Sequence, residues 1–226
     1  MLPILRRDPW FGSLSDTLAD AIATRLSPVD FADGEAIYRA GDRPDGLFAI
    51  QYGSVRMMHI STGGVCGFCY VKQAPSWFGE LSEFDGGPRA QHAYAVGQTR
   101  LLHLSHHAFQ TIVAADGRHW SGFALLMGMR VRDLFHRIEA MATLPARVRV
   151  AQALFLTHVE AQRAGVNPGQ TSISQESLGA MVGISRQTIS KILKEMERSR
   201  WVRLNYRSIE LLDPAMIERL ARPPDR

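Results

Sequence analysis

Glu80 and Arg89 stand nine residues apart, in Phe78-Gly79-Glu80-Leu81 followed by Gly86-Gly87-Pro88-Arg89-Ala90. A carboxylate accepts from a ribose 2′-hydroxyl. A guanidinium, with neighbouring backbone N–H groups, takes a phosphate. A glycine-rich loop carrying both can hold a nucleotide from two sides, with Gly79, Leu81 and Ala90 in the same candidate pocket. An internal Glu–Arg ion pair tying the loop to its own sheet fits these residues equally well. On the residues alone, both readings stand.

A second set of side chains lies between Ser174 and Met196, SQESLGAMVGISRQTISKILKEM. The pattern is two short helices around a tight turn, with Leu178, Val182, Ile184, Ile189, Ile192 and Leu193 on the buried face. Gly183 falls where the turn calls for a positive φ. Ser185 is placed to cap the second helix, whose exposed tip is Arg186-Gln187-Thr188 with Lys191 one turn on. Arg pairs bidentately with guanine, Gln with adenine, and Lys with guanine or phosphate. Ser174, Ser185, Thr188 and Ser190 join these as candidate DNA-contacting residues. The cap, the glycine and the clustered polar tip together favour a helix-turn-helix over a solvated helical hairpin.

Other chemistry is thinner. Cys66 and Cys69 form a C-x-x-C, too few ligands for a closed zinc or iron–sulfur site. Two small buried side chains explain them more simply than a redox pair. His103, His106 and His107 lie close together with no Cys or carboxylate at ligand spacing. No metal site is expected. No Gly-x-Ser-x-Gly elbow, Walker-type phosphate loop or His/Glu metal motif points to an enzyme.

The bulk composition agrees. With 226 residues, 46% hydrophobic and 21% charged, the chain is long enough for one large or two ordinary globular domains. Its apolar runs fall short of the roughly 20 residues a membrane span needs. No secretory signal is evident, and two cysteines make no disulfide framework, so the expected compartment is the cytoplasm. Residues 1–144 carry 13 Lys+Arg against 14 Asp+Glu, whereas residues 145–226 carry 13 against 8. The positive excess lies with the helix-turn-helix, as a duplex-binding module requires.

These side chains need elements to position them. From about Val29 to Leu104, short β-rich runs alternate with turn residues: EAIYRAGD, GLFAIQYGSVRMMHI, GVCGFCYVKQ, RAQHAYAVG and RLLHLS. That texture predicts an all-β sandwich or roll, with Gly34, Gly41, Gly46, Gly53 and Gly79 at corners and a helix from Ser15 to Leu26 before it. In β-run GLFAIQY, Leu47, Ala49 and Gln51 alternate with Phe48, Ile50 and Tyr52. Trp120 to Met141 has a helical period, with Ala124, Met127, Val131, Leu134, Ile138 and Met141 spaced three and four apart. This a/d seam suits a parallel homodimer, and a single amphipathic helix packed on its own sheet is the alternative. Pro145 breaks it as a hinge. Trp201–Leu204 and Ser208–Leu212 bracket a short turn as a β-hairpin wing, where Arg203 and Arg207 can meet the DNA backbone.

From about Leu14 to Leu212 the chain resembles the CRP/FNR family of bacterial transcription regulators. GEAIYRAGDRPDGLFAIQYGSV resembles the family's cyclic-nucleotide-binding β-roll, FGELSEFDGGPRA its phosphate-binding cassette, and VGISRQTISKILKEME its recognition helix. The resemblance implies an α+β fold: an N-terminal double-stranded β-roll (jelly-roll-like) over 1–117, a long dimerisation helix and hinge over 118–144, and a C-terminal winged helix-turn-helix over 145–226. It places Glu80 at the ribose and Arg89 at the phosphate, and it sets Arg186, Gln187 and Lys191 at bases and backbone. The implied partners are a palindromic DNA operator, a second copy of the chain and, for an activator, RNA polymerase, with no membrane.

Two departures matter. Gln187 stands where the cAMP-responding members carry Glu, shifting the preference from cytosine towards adenine. Leu134 and Phe135 stand where those members use Thr and Ser to contact adenine. The effector is therefore open: a cyclic nucleotide is one candidate, cAMP itself is disfavoured, and an unused or a redox- or haem-responsive pocket are others. A competing reading is a nucleotide-binding module that acts through a protein partner.

Overall fold

The structure is a computed structural model that describes residues 2–60, 66–164, 170–171, 173–205 and 208–222. The chain divides into two compact units, Met1–Met57 with Lys72–Phe135, and Met58–Val71 with His136–Arg226.

In the first unit, three short helices, α1 (Leu2–Leu5), α2 (Pro9–Ser13) and α3 (Asp16–Ala23), precede the strands. Ser15 caps α3 by accepting from the Leu18 N–H, as the sequence indicated. The strands are β1 (Ser27–Phe31), β2 (Ala36–Tyr38), β3 (Gly46–Ile60), β4 (Cys66–Gln73), β5 (Trp77–Phe78) and, after α4 (Glu80–Asp85), β6 (His92–Ser105), with the end of β3 from Met58 and β4 up to Val71 counted in the second unit. They form one sheet in the order β1-β6-β3-β4, with β2 on β6 and β5 on β3. Helices α5 (His106–Ala115) and α6 (His119–Thr143) follow, and the first unit ends within α6 at Phe135.

Three details correct the sequence reading. The separate runs RAQHAYAVG and RLLHLS are one strand, β6, which passes through Gly97 at a positive φ. Gly53 lies within β3 rather than at a corner, and glycine is required there because φ is +84° and a Cβ would meet the Gln98 carbonyl and Thr99 across the sheet. The alternation in β3 is absent at its start, where Leu47, Phe48, Ala49 and Ile50 are all buried. Leu47 and Ala49 join the core formed with the helices, while Phe48 stacks on Phe78 and lies near Tyr38.

The sequence also gave no sign of how the N-terminal residues are used. Trp10 and Phe11 on α2 are fully buried beside Trp77, at ring-centroid distances of 5.1 and 5.5 Å. The Trp10 indole donates to the Gly122 carbonyl of α6 at 2.7 Å, so burying the ring leaves no orphan donor. Asp8 caps α2 by accepting from Phe11 N–H at 2.9 Å. Burial pushes its carboxyl above the usual range, against the lowering effect of the Phe11 N–H and of Arg130 and Lys72. An acid raised in this way ionises first in the unfolded chain. Its contribution is therefore full at low pH and is lost as pH rises through the folded pKa. Asp8→Asn keeps the acceptor and removes the buried charge. Its Tm should exceed that of wild type at pH 7, with the gap closing towards pH 4; a lower Tm at pH 7 would contradict this.

The second unit carries α7 (Ala146–Ala164), β7 (Gln170–Thr171), α8 (Gln175–Val182), α9 (Arg186–Arg198), β8 (Val202–Asn205), β9 (Ser208–Leu211) and α10 (Pro214–Ala221). The three strands pair as β7-β9-β8 around a core that includes Val150, Leu154, Leu178, Ile189, Leu193, Met196 and Ile217. β7 and α10 were not foreseen. No helix among the described residues is long and apolar enough to cross a membrane.

Candidate functional site

The helix-turn-helix is built as its residues dictate. α8 ends on Gly183, whose φ of +67° lies in the left-handed region open to glycine. Ser185 then caps α9, accepting from the Thr188 N–H at 3.2 Å. Ile189, Leu193 and Met196 are fully buried, which leaves the opposite face of α9 to solvent. A shallow depression on that face is lined by Arg186, Gln187, Ser190, Lys191 and Lys194. Four of these were anticipated. Lys194 was not, although the period that joins Arg186 to Ser190 reaches it in one further step of four.

The other predicted DNA contacts are differently engaged. Thr188 is exposed, with its hydroxyl 2.9 Å from Ser185 Oγ beside the cap. Ser174 caps α8, accepting from the Ser177 N–H at 3.0 Å. The Ser174 hydroxyl thus positions α8, and the Thr188 hydroxyl meets the cap of α9. Arg203 pairs across the wing with Glu210 at 2.8 Å, consistent with their register on β8 and β9. Arg207 lies outside the described residues.

Within α9, two changes separate scaffold from contact. Ser185→Ala removes the cap and should cost about 1 kcal/mol of stability, read by denaturant unfolding. Lys194→Ala should leave stability alone and weaken binding to all duplexes alike. Its salt-dependence slope should fall by about 1 for each subunit bound, read by anisotropy titrations at several salt concentrations.

The first unit brings Glu80 and Arg89 to the two ends of the cassette without pairing them. Gly79, at a φ of +88°, leads into α4, and a Cβ there would come within 2.9 Å of Arg89 Nη1. Arg89 is 2% exposed. Its Nη1 donates to the Gly79 carbonyl at 2.7 Å, and its Nη2 donates to the Gly46 carbonyl and to Asp45. The guanidinium lies over the Tyr38 ring at 4.4 Å. Its Nε is buried without a hydrogen-bond partner. One donor of a rigidly held cation is thus left over at the cassette, and an anionic oxygen is the group that would satisfy it.

Glu80 is also buried, and its partner is not Arg89. Arg130 of α6 donates from Nε to Glu80 Oε1 at 2.6 Å and from Nη2 to the Trp77 carbonyl at 2.7 Å. The internal Glu80–Arg89 pair is therefore excluded. Leu81 and Ala90 are exposed beside these residues. Sequence reasoning missed Asp45 and Arg130, since nothing local signals a partner 44 or 50 residues away.

The histidines have structural partners. His103 Nε2 lies 3.1 Å from the Asp45 carbonyl and its ring stacks on Phe48. His106 Nδ1 lies 2.7 Å from Glu83, a buried carboxylate. His107 is exposed. Among the described residues, no group of His, Cys, Asp and Glu is arranged to hold a metal. Cys66 and Cys69 have their backbones on β4; their side chains lie outside the described residues.

Helix α6 spans His119–Thr143, and Phe123 and Leu126 are buried on it. The predicted seam is on another face. Val131, Leu134, Ile138 and Met141 are exposed at 44–55%, Phe135 beside them at 64%; Ala124 is exposed and Met127 half-buried.

Residues 28–116 match the cyclic nucleotide-binding domain family, and residues 148–220 match the Crp-like helix-turn-helix domain family. The chain belongs to the CRP/FNR family of transcription regulators. It is 27% identical over 224 residues to the CRP-like cAMP-activated global transcriptional regulator of Mycobacterium tuberculosis, covering 97% of this chain and 99% of that one. It is also 27% identical over 217 residues to the cyclic AMP receptor protein of Thermus thermophilus, at 96% and 98% coverage. In structure it is similar to a CRP/FNR-family regulator from Thermus thermophilus, with a TM-score of 0.69 and 24% identity over 86% of this chain and 98% of that one. Like these relatives, this CRP/FNR member is a transcription regulator, with a sheet-rich sensor domain and a helix-turn-helix DNA-binding domain.

Proposed function

We propose that the chain works as a homodimer that reads a palindromic DNA operator through Arg186, Gln187 and Lys191 and changes its affinity when an effector enters the cassette. The observation that carries the DNA reading is the exposed polar face of α9, framed by a capped, fully packed opposite face. Two such helices must reach successive major grooves about 34 Å apart, and the exposed apolar stripe of α6 supplies the means to pair them. Ser190 and Lys194 add polar and phosphate contacts, and Arg203 approaches the backbone from the wing. For an activator, RNA polymerase would be the further partner, in the cytoplasm.

The effector reading rests on the buried, unsatisfied Nε of Arg89 and on the adjacent Glu80 carboxylate. Together they suit the phosphate and ribose of a cyclic mononucleotide, the class of effector named for the cAMP-activated relative. Arg130 holds Glu80 from the dimer helix, so a ligand that engages Glu80 acts on the element that pairs the subunits. The test is operator affinity with and without cyclic nucleotide. Wild type should respond about 5- to 150-fold, and Glu80→Ala and Arg89→Ala should not respond. Equal affinity in both conditions for wild type would remove effector control.

A further inference from the structure

Helix α4 carries two buried carboxylates, and they are held by different kinds of partner. Glu80 is gripped by Arg130, and Arg89 at the other end of the cassette by Asp45. An arginine keeps its charge at every pH the protein meets. Glu83 is gripped instead by His106, whose Nδ1 lies 2.7 Å from its Oε2. The Glu83 side chain is fully buried, whereas His106 is 52% exposed and open to proton exchange with solvent. Glu83 Oε1 is buried without a hydrogen-bond partner, so the imidazole is what holds this carboxylate. His106 is itself fixed in place: it opens α5 behind the Ser105 cap, and its N–H donates to the Asp45 carbonyl at 2.9 Å.

Histidine is the side chain that ordinarily titrates near neutrality, at about pH 6.5. One proton shared by the pair makes the contact a charge-assisted bond, at the length such bonds adopt. Removing that proton leaves a buried carboxylate facing a neutral ring, with one oxygen unpaired, an arrangement that burial disfavours. Helix α4 has little of its own to resist with. It has six residues, and glycines at positive φ flank it, Gly79 at +88° and Gly86 at +69°. Tertiary contacts seat it: Phe84 against Phe109 and Phe123, the Ser82 hydroxyl donating to the Pro88 carbonyl, and the Glu83–His106 pair. Glu80 and Glu83 are about one helical turn apart, so a shift in the seat of Glu83 moves Glu80. The other charged and titratable groups on the surrounding elements are engaged elsewhere or exposed. Asp45 pairs with Arg89, Glu80 with Arg130, and Asp85 accepts from the Gly87 N–H. His103 and His119 lie beside the Asp45 and Ile112 carbonyls, and His107 is exposed.

We propose that Glu83 and His106 are positioning residues of the effector site, a proton-operated clasp on α4, so that effector affinity is high while the pair holds its proton and falls as pH rises through the titration of His106. The clasp rests on reading Glu80 and Arg89 as the effector site. Linkage is reciprocal: a proton on the pair favours the nucleotide, so the nucleotide favours the proton. Binding therefore takes up protons near neutral pH.

The test is calorimetric titration of the full chain with cAMP and with cGMP between about pH 5.5 and about pH 8, where histidine titrates and neither nucleotide does. Wild-type affinity should fall by about 5- to 150-fold across that range. Titrations in buffers of different ionisation enthalpy should show net proton uptake at pH 7. Measurable binding with a flat pH profile, or with proton release, overturns the clasp. Glu83→Gln and His106→Gln keep hydrogen-bonding groups at the contact but lose the titrating pair. Both should bind with no pH dependence and no proton uptake. A pH response that survives in His106→Gln belongs to another group and overturns the clasp as well. The wild-type profile and proton uptake decide the matter even where a variant fails to fold. A flat profile removes the clasp alone. Binding of neither nucleotide at any pH removes the effector reading and the clasp with it, while operator binding stands or falls on its own measurement.

Discussion

Arg186→Ala should abolish the preference of this regulator for its operator over unrelated duplex. Arg186 is exposed at the first turn of α9, one residue beyond the Ser185 cap, where the helix tip enters a major groove. A bidentate arginine–guanine pair discriminates against the wrong base by about 1–3 kcal/mol, and a dimer engages two half-sites, so the expected loss is about 2–6 kcal/mol. The substitution makes no packing change: the buried side of α9 is Ile189, Leu193 and Met196. Unfolding should therefore be unaltered. Competition titrations against an unrelated duplex separate this outcome from that of Lys194→Ala, in which all duplexes weaken together. If the operator preference survived intact, Arg186 would have no part in base reading.

Ile138→Glu should dissociate the dimer. The side chain is 53% exposed in the single chain, so a carboxylate there is solvated in the monomer. In a paired seam it becomes a buried charge facing its own copy, at an expected penalty of about 3–5 kcal/mol. Sedimentation should show monomers at concentrations where wild type is dimeric, with Tm of the monomer little changed. Operator affinity should drop with dimerisation, because a monomer contributes one recognition helix. Had α6 instead packed this face on its own sheet, the same substitution would lower Tm and leave the association state alone.

Local rules carried much of this architecture. The bounds of β3, Gly46–Ile60, coincide with the run GLFAIQYGSVRMMHI, since glycine and a tight turn punctuate its start. The caps Ser15 and Ser185 and the left-handed Gly183 follow from the chemistry of single residues. What escaped depends on distant partners. Gly97 looked like a break between strands, yet β6 runs through it because its neighbours β1 and β2 hold both halves. Trp10 and Phe11 carried no periodic signal, although their burial beside Trp77 makes them core. At the cassette, Glu80 and Arg89 were legible as a pair of chemical groups. Their true partners, Arg130 and Asp45, were not, because ion pairs between elements leave no periodic trace. On α6, the seam residues Val131, Leu134, Ile138 and Met141, expected from their period, are exposed in the single chain.

The central claim is that two recognition helices, paired through α6, read DNA together. Selection from a pool of randomised duplexes tests it most directly, with the full chain bound at moderate salt, with and without cyclic nucleotide. The account predicts an inverted repeat whose half-sites are centred about 10 base pairs apart, one helical turn. Substituting Gln187→Glu should change the same base pair in both halves. Enrichment of a single asymmetric half-site, or of no sequence at all, would contradict it.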